Sequence, residues 1–171
     1  MPSLQQLLLL TSSLLVSINA QGVLLSAQGT KGSPASLPLQ VVLNSNDANI
    51  INPTEISTNV VNECGRTLLN GNIDIGENTE TQLSKKTVTS VTKGSTVNVV
   101  MQQGGTNGAG PYTCDMDPTS NAQASGQTKL TVKETDGTDG NIKLAVTMPS
   151  NMSCIGGMYF ISFSFSLYIY P

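Results

Sequence analysis

The chain has 171 residues with 11 acidic and 8 basic side chains, no His, no Trp and 3 Cys. About two residues in five are Ser, Thr, Asn or Gly, which is typical of a polar, loop-rich domain rather than of a coiled coil or a charged disordered tail. Without His the chain cannot form a Ser-His-Asp triad, a Cys-His pair or an imidazole metal site, and a net charge of −3 predicts no nucleic-acid partner.

The first segment, residues 1–20, resembles a secretory signal peptide. Apolar runs lie at residues 7–10 and 14–16, and the small residue Ala20 suits a cleavage point. The alternative is a membrane anchor, but polar residues interrupt the run well short of the ~20 apolar residues that a span requires. Cleavage would leave Gln21 at the amino terminus. We therefore expect a secreted protein, extracellular or cell-wall associated, with no membrane span after cleavage.

Three short apolar runs in the first half of the chain predict β-strands. They lie at residues 22–27, 39–43 and 56–61. The Asn-rich residues 44–53 predict a turn. The helical candidate spans residues 78–86, with Asn78 as its N-cap, acidic residues early and lysines late.

Alternation of apolar and polar residues marks the later half. The pattern at residues 97–101 predicts a half-buried strand, and the patterns at residues 129–134 and 141–148 predict a hairpin. Strands at this spacing, separated by Gly- and Asn-rich turns, favour an all-β fold. The expected architecture is a small immunoglobulin-like or monooxygenase-like β-sandwich with long polar loops.

Secretion would permit disulfides among Cys64, Cys114 and Cys154. Three cysteines allow three different single bridges, each leaving one thiol over, and Cys64–Cys114 is the pairing that we favour. The odd number indicates either intermolecular pairing or a missing cysteine-bearing segment. Asn151 begins the sequon Asn-Met-Ser, which predicts a glycoprotein if it lies in a surface loop.

The last segment differs in composition from the rest, since six of the seven aromatic residues lie within residues 159–170. One interpretation is a final strand with alternating apolar side chains. The interpretation that we favour is that codons after Gly157 do not encode the native continuation, which would also explain the missing fourth cysteine. The predicted organisation is a signal peptide at residues 1–20, a secreted β-sandwich domain at 21–157 and an atypical aromatic tail at 158–171.

A weak candidate site for a ligand comprises Tyr112, Asp115 and Asp117. On a strand the two carboxylates would lie on one face, about 7 Å apart between α-carbons. Such a pair suits acid–base work in glycoside hydrolysis or part of a calcium site, and an adjacent tyrosine suits stacking on a sugar ring. The alternative is a local turn at Asp117-Pro118, capped by the aspartate.

Three stretches are distinctive enough to carry a resemblance. Residues 62–80 contain Asn-Glu-Cys-Gly-Arg-Thr and then Leu-Asn-Gly-Asn-Ile-Asp-Ile-Gly-Glu-Asn-Thr-Glu, residues 108–122 read Gly-Ala-Gly-Pro-Tyr-Thr-Cys-Asp-Met-Asp-Pro-Thr-Ser-Asn-Ala, and residues 21–29 read Gln-Gly-Val-Leu-Leu-Ser-Ala-Gln-Gly. Over residues 21–157 the chain resembles the fungal appressorium-specific cell-surface proteins, or Egh-type virulence factors.

That resemblance implies a small secreted fungal protein linked to infection structures and host penetration, for which no enzymatic activity is established. Members typically begin with His-Gly, where this chain has Gln21-Gly22, and they carry further cysteines and a cysteine-rich tail that this chain lacks. Because the chain has no imidazole, and cyclisation of Gln21 would remove the terminal amine, we predict no copper site. We also expect no other metal and no cofactor.

Two functional hypotheses follow. The first is a non-catalytic secreted effector or cell-surface protein, with no catalytic residue assigned, that acts at the interface between fungus and host. The second is a carbohydrate-binding or carbohydrate-active protein that acts on cell-wall polysaccharide. The expected partner is accordingly a cell-wall polysaccharide or a host surface component.

Overall fold

The computed structural model describes residues 20–103, 111–118, 128–136 and 141–153. Strands dominate this part of the chain, and every ladder between them is antiparallel. The all-β prediction is therefore confirmed.

Nine strands form in the described residues and pair into two sheets. In chain order they are β1 Ala20–Gln28, β2 Asn49–Ile51, β3 Arg66–Thr67, β4 Gly71–Asn72, β5 Thr96–Gln103, β6 Asp115–Met116, β7 Thr128–Lys129, β8 Thr131–Asp136 and β9 Asn141–Thr147. The main sheet has seven strands in the order β4-β3-β2-β1-β5-β9-β8, and the second sheet pairs β6 with β7. Strand β1 pairs with both β2 and β5, so it joins the two halves of the main sheet.

The central ladder confirms the alternation seen in the sequence. Every second side chain of β5 and β9 is buried, and these side chains face each other directly across the ladder. The opposed pairs are Val97 with Val146, Val99 with Leu144, and Met101 with Ile142. Strands β8 and β9 pair as predicted for the hairpin, and the connecting residues 137–140 lie outside the described part.

The small sheet packs against the main sheet over a shared core. Cys114, Met116 and Leu130 lie on or beside β6 and β7, and they belong to the same buried cluster as Val99 and Leu144. The result is two β-layers over one apolar core, which agrees with a sandwich-like arrangement.

The predicted strand at residues 56–61 is wrong. A short helix, α1 Pro53–Ser57, occupies its start, and turns follow. Asn52 caps the helix, because its side-chain oxygen accepts a hydrogen bond from the backbone N–H of Thr54 at 2.9 Å, and Pro53 fits the first helical position. These start signals outweigh the apolar run that predicts a strand. The strand of this region is β2, inside the predicted turn at residues 44–53.

The predicted strand at residues 39–43 is also wrong. Gln40 has a φ of 61°, the left-handed region, which no strand accommodates. The helix predicted at residues 78–86 is present but begins earlier, as α2 Ile75–Ser84. Its N-cap is Asp74 rather than Asn78, because the Asp74 carboxylate accepts the backbone N–H of Glu77 at 2.9 Å.

Several predictions concern residues outside the described part. They are the leader up to residue 19, the bridge to Cys154 and the aromatic tail 158–171. None of the helices in the described residues is long and apolar enough to cross a membrane.

The favoured bridge between Cys64 and Cys114 is absent from the structure. Cys114 is fully buried in the main core, whereas Cys64 lies in a separate small cluster with Ile73, against which Leu39 and Ile75 pack. The two thiols therefore belong to different packing units.

Candidate functional site

Strand β6 and its flanks contain the three residues of the predicted site, but they do not present them on one exposed face. Cys114 and Met116 are buried in the main core, and Asp115 alternates to the opposite side, where it is half-buried. Asp117 follows the strand and is 2% exposed, and Tyr112 precedes it and is 5% exposed. Asp115 is thus the one member of the predicted site with substantial access to solvent.

Tyr112 packs as a core residue. Its ring belongs to the main buried cluster, so it does not present a face on which a sugar could stack. Burial first, and the negative charge of Glu134 second, raise the pKa of the Tyr112 hydroxyl. The phenol therefore stays protonated at neutral pH, as a buried polar tip on an apolar ring.

Asp115 lies opposite Lys129 in the β6–β7 ladder. Partial burial raises the pKa of the Asp115 carboxyl, and the charge of Lys129 opposes this shift. Hydrolysis of a glycosidic bond requires two carboxyl groups that reach the same bond. Asp117 would be the second carboxyl group, but it is buried and cannot reach a substrate. No group of three metal-ligating side chains is close enough to hold an ion within the described residues.

The distinctive stretch at residues 62–80 builds the β3–β4 edge of the main sheet. The Asn62 side chain accepts the backbone N–H of Cys64 at 2.9 Å and donates to the carbonyl of Ile73 at 2.8 Å. Gly65 has a φ of +73°, and a β-carbon there would lie 2.3 Å from the carbonyl oxygen of Ile50. Asn62 and Gly65 are thus explained by the fold.

Gln40 ties the β3–β4 turn to the start of α2. Its side-chain nitrogen lies 3.2, 3.1 and 3.0 Å from the carbonyl oxygens of Asn70, Gly71 and Asn72, to which it donates. Its side-chain oxygen accepts the backbone N–H of Asp74 at 3.2 Å. One side chain therefore satisfies the backbone of two separate elements.

Asp47 also bonds to the backbone of separate segments near the β3–β4 turn. The side chain is only 3% exposed, and its carboxylate accepts the backbone N–H groups of Val42, Ala48 and Leu69 at 2.9, 3.0 and 2.9 Å. Hydrogen bonds of this kind offset the cost of burying a charge. We refer to Gln40 and Asp47 together as the loop clamp.

The loop clamp is only partly readable in the sequence. A signal for Asp47 was present, because the run Asn-Ser-Asn-Asp at residues 44–47 contains the side chains that bond to nearby backbone in turns. The signal indicated a turn but not the distant segment that the turn holds.

The fold and these contacts define an all-β domain. Its most distinctive sequence stretch, residues 62–80, builds the β3–β4 edge of the main sheet, where polar side chains bond to the backbone. The chain belongs to the Egh16-like virulence factor family, whose model matches residues 18–161. The suspected resemblance is therefore confirmed. No curated protein and no solved structure matches the chain.

Proposed function

We propose that this member of a fungal virulence-factor family is a secreted, non-catalytic protein of the fungal cell surface that acts at appressoria during host penetration. Family membership supports the link to virulence, and the leader-like residues 1–20 support export. The absence of His and the burial of Asp117 favour a binding role over catalysis.

The observation that best supports export is that the predicted cleavage point lies at the very start of β1. The β1–β5 ladder begins at Gly22, so removal of residues 1–20 leaves that ladder complete. On the other side it removes only the pair between Ala20 and Ile51. A leader joined at this position can therefore be removed without unpairing the central strand.

Export is tested by expressing the chain with a carboxy-terminal tag in a filamentous fungus and separating medium, cell wall and cytosol. We expect the protein in the medium or wall, with mass spectrometry giving an amino terminus at Gln21, cyclised to pyroglutamate. Intact chains that begin at Met1 and remain in the cytosol would contradict the proposal.

Glycosylation of Asn151 provides a second readout of export. Asn151 is exposed, in a turn that follows β9, as an acceptor site requires. We expect an endoglycosidase to shift the mobility of the secreted chain and to leave Asn151→Gln unchanged. An unshifted wild-type chain that is nevertheless found in the medium would remove the glycoprotein prediction while leaving export intact.

The infection role is tested by deleting the gene and restoring it. We expect hyphal growth to be unchanged and the fraction of appressoria that penetrate host tissue to fall, with recovery on reintroduction of the native gene. A version lacking residues 2–20 should not restore penetration. Normal penetration by the deletion strain would overturn the role.

Binding to a cell-wall polysaccharide is the second candidate, and the partly exposed Asp115 is the observation that favours it. Retention on chitin, cellulose or glucan should then fall with Asp115→Asn and persist with Lys143→Gln, an exposed control on β9. Tyr112→Ala is a poor probe because it would open the core. Absence of retention on all three polymers would remove this candidate.

A further inference from the structure

Three aliphatic side chains are exposed around the β3–β4 turn. Val42, Leu68 and Leu69 are 47%, 52% and 57% exposed. Single exposed aliphatic residues are ordinary, so it is the grouping of these three that is informative. The backbone N–H groups of Val42 and Leu69 bond to the two oxygens of the same Asp47 carboxylate, so these residues lie side by side. We call Val42, Leu68 and Leu69 the apolar corner.

The backbone of this corner is largely satisfied by the protein itself. Leu68 donates its N–H to the carbonyl of Ala48 at 3.0 Å, Leu69 donates to Asp47, and Asn70 donates to the buried Thr67 hydroxyl at 3.1 Å. The carbonyls of Asn70, Gly71 and Asn72 accept from the Gln40 side chain, which shares its two N–H groups among them. A loop that enters a lipid layer must satisfy its backbone groups in this way, because the layer offers no water to bond them.

The corner is too small for a stable contact between two copies of the chain. Three half-exposed aliphatic side chains offer at most a few hundred Å², whereas stable protein interfaces bury about 1,200–2,000 Å² in total. Shallow insertion into a lipid layer has no such minimum, since each apolar side chain that leaves water contributes separately.

The charge around the apolar corner favours a zwitterionic lipid surface over an anionic one. The chain carries a net charge of −3, and the residues at positions 43–46 and 70 are Leu, Asn, Ser, Asn and Asn. The nearest basic residue in the sequence, Arg66, is paired with Glu55 at 2.8 Å. Attraction to an anionic leaflet requires clustered Lys or Arg, which this corner lacks. A zwitterionic surface imposes no such requirement.

We propose that the apolar corner docks the protein on a neutral phospholipid bilayer, with Leu68 and Leu69 entering the boundary between headgroups and acyl chains. The loop clamp holds the corner in the inserting conformation before contact. This activity is additional to the infection role proposed above and does not depend on it.

Co-sedimentation of the purified chain with phosphatidylcholine vesicles tests the proposal. We expect the partition coefficient to fall at least tenfold in the double variant Leu68→Ser/Leu69→Ser. The matched control is Val60→Ser, because Val60 is 67% exposed but its N–H bonds to Glu55 rather than to Asp47. Replacing a third of the lipid by phosphatidylserine should leave binding unchanged or weaker.

Comparison of variants cancels any contribution from residues outside the described part, and thermal melts show whether each variant remains folded. Unchanged binding by a folded double variant would overturn the proposal, as would a loss of the same size in Val60→Ser or binding that rises with phosphatidylserine and falls with salt.

A local measurement supplies an independent test. A nitroxide-labelled lipid in small bicelles should broaden the methyl resonances of Leu68 and Leu69 more than those of Val60 or of the buried Leu144. Equal broadening at all four residues would overturn the assignment of the docking face. A concentration-dependent dimer in sedimentation velocity that the double variant abolishes would assign the corner to a second copy instead.

Discussion

The two halves of the main sheet are held together by different interactions. On one side of β1, strands β5, β9 and β8 are six to eight residues long, and the buried side chains of β5 and β9 alternate and oppose each other. On the other side, β2, β3 and β4 are two or three residues long, and polar side chains and glycines secure the loops around them. We refer to these as the apolar half and the polar half.

This difference separates what each half tolerates. The apolar half depends on burying aliphatic surface, so similar residues of similar size can replace one another at modest cost. The polar half depends on individual groups: the Asp47 carboxylate, the Gln40 amide and the missing β-carbon of Gly65. Substitutions there are expected to cost the whole of the contact that they remove, because no chemically similar residue restores a lost acceptor or relieves a backbone clash.

The largest expected effect is that of Gly65→Ala in the polar half. The new β-carbon would lie 2.3 Å from the carbonyl oxygen of Ile50 at a φ of +73°, so both a clash and backbone strain result. We expect the free energy of unfolding to fall by about 4 kcal/mol, measured by urea denaturation.

Gly71→Ala is the matched control, because the φ of Gly71 is +74° but open space surrounds the β-carbon position. Backbone strain alone should cost about 1 kcal/mol. Equal losses would show that the clash is relieved by a small shift.

The apolar half should respond in proportion to the buried volume removed. Leu144 is 1% exposed and faces Val99 across the β5–β9 ladder. Leu144→Ala should lower the free energy of unfolding by about 3 kcal/mol, whereas Leu144→Met should cost less than about 1.5 kcal/mol. The exposed neighbour Lys143, changed to Ala, is the control and should leave stability within about 0.5 kcal/mol. Equal costs for the Met and Ala variants would contradict graded packing in this half.

The same division explains what could be predicted from the sequence. The alternation at residues 97–101 and 141–148 reports local geometry, since every second side chain of a half-buried strand faces the core. The polar half is fixed by contacts between distant residues: Gln40 bonds to Asn70, 30 positions away, and Asp47 to Leu69, 22 positions away. No local pattern contains such pairs, so the apolar run at residues 39–43 predicts a strand where the fold has an irregular loop.

The predicted site shows the same limit. The types of Tyr112, Asp115 and Asp117 suggested chemistry, but their value for chemistry depends on exposure. Exposure is set by the layer that packs over them, which the sequence near β6 does not encode. The start of α1, by contrast, has a local signal in Asn52-Pro53, the N-cap residue and the proline that follows it, although the apolar run at residues 56–61 predicts a strand.

Removal of the Asp47 carboxylate should loosen the polar half without unfolding the apolar half. Asp47→Ala leaves three backbone N–H groups without their acceptor, for which we expect a loss of about 2 kcal/mol. Hydrogen exchange should accelerate at Leu69 and Val42 far more than at Leu144. The N-cap variant Asp74→Ala, expected to cost about 1 kcal/mol, controls for loss of a carboxylate elsewhere in this half. Uniform acceleration across both halves would show that they unfold as one unit.

The smallest expected effect distinguishes the halves by pH. Burial, with a contribution from the charge of Asp115, raises the pKa of the Cys114 thiol to about 12. An unfolded thiol ionises near pH 8.5, so above that pH the unfolded state loses a proton that the folded state keeps, and stability falls as pH rises. Between pH 9 and 10 the expected slope is up to about 1.4 kcal/mol per pH unit. Urea denaturation across this window should show this slope in the wild type and a shallower slope in Cys114→Ala.

Hydrogen exchange supplies a second measurement. Because the thiol lies in the core shared with the apolar half, the Leu144 amide should lose its protection from exchange at a lower pH than the Leu69 amide. Identical slopes for the two proteins would show that the Cys114 thiol does not govern the alkaline response of that half.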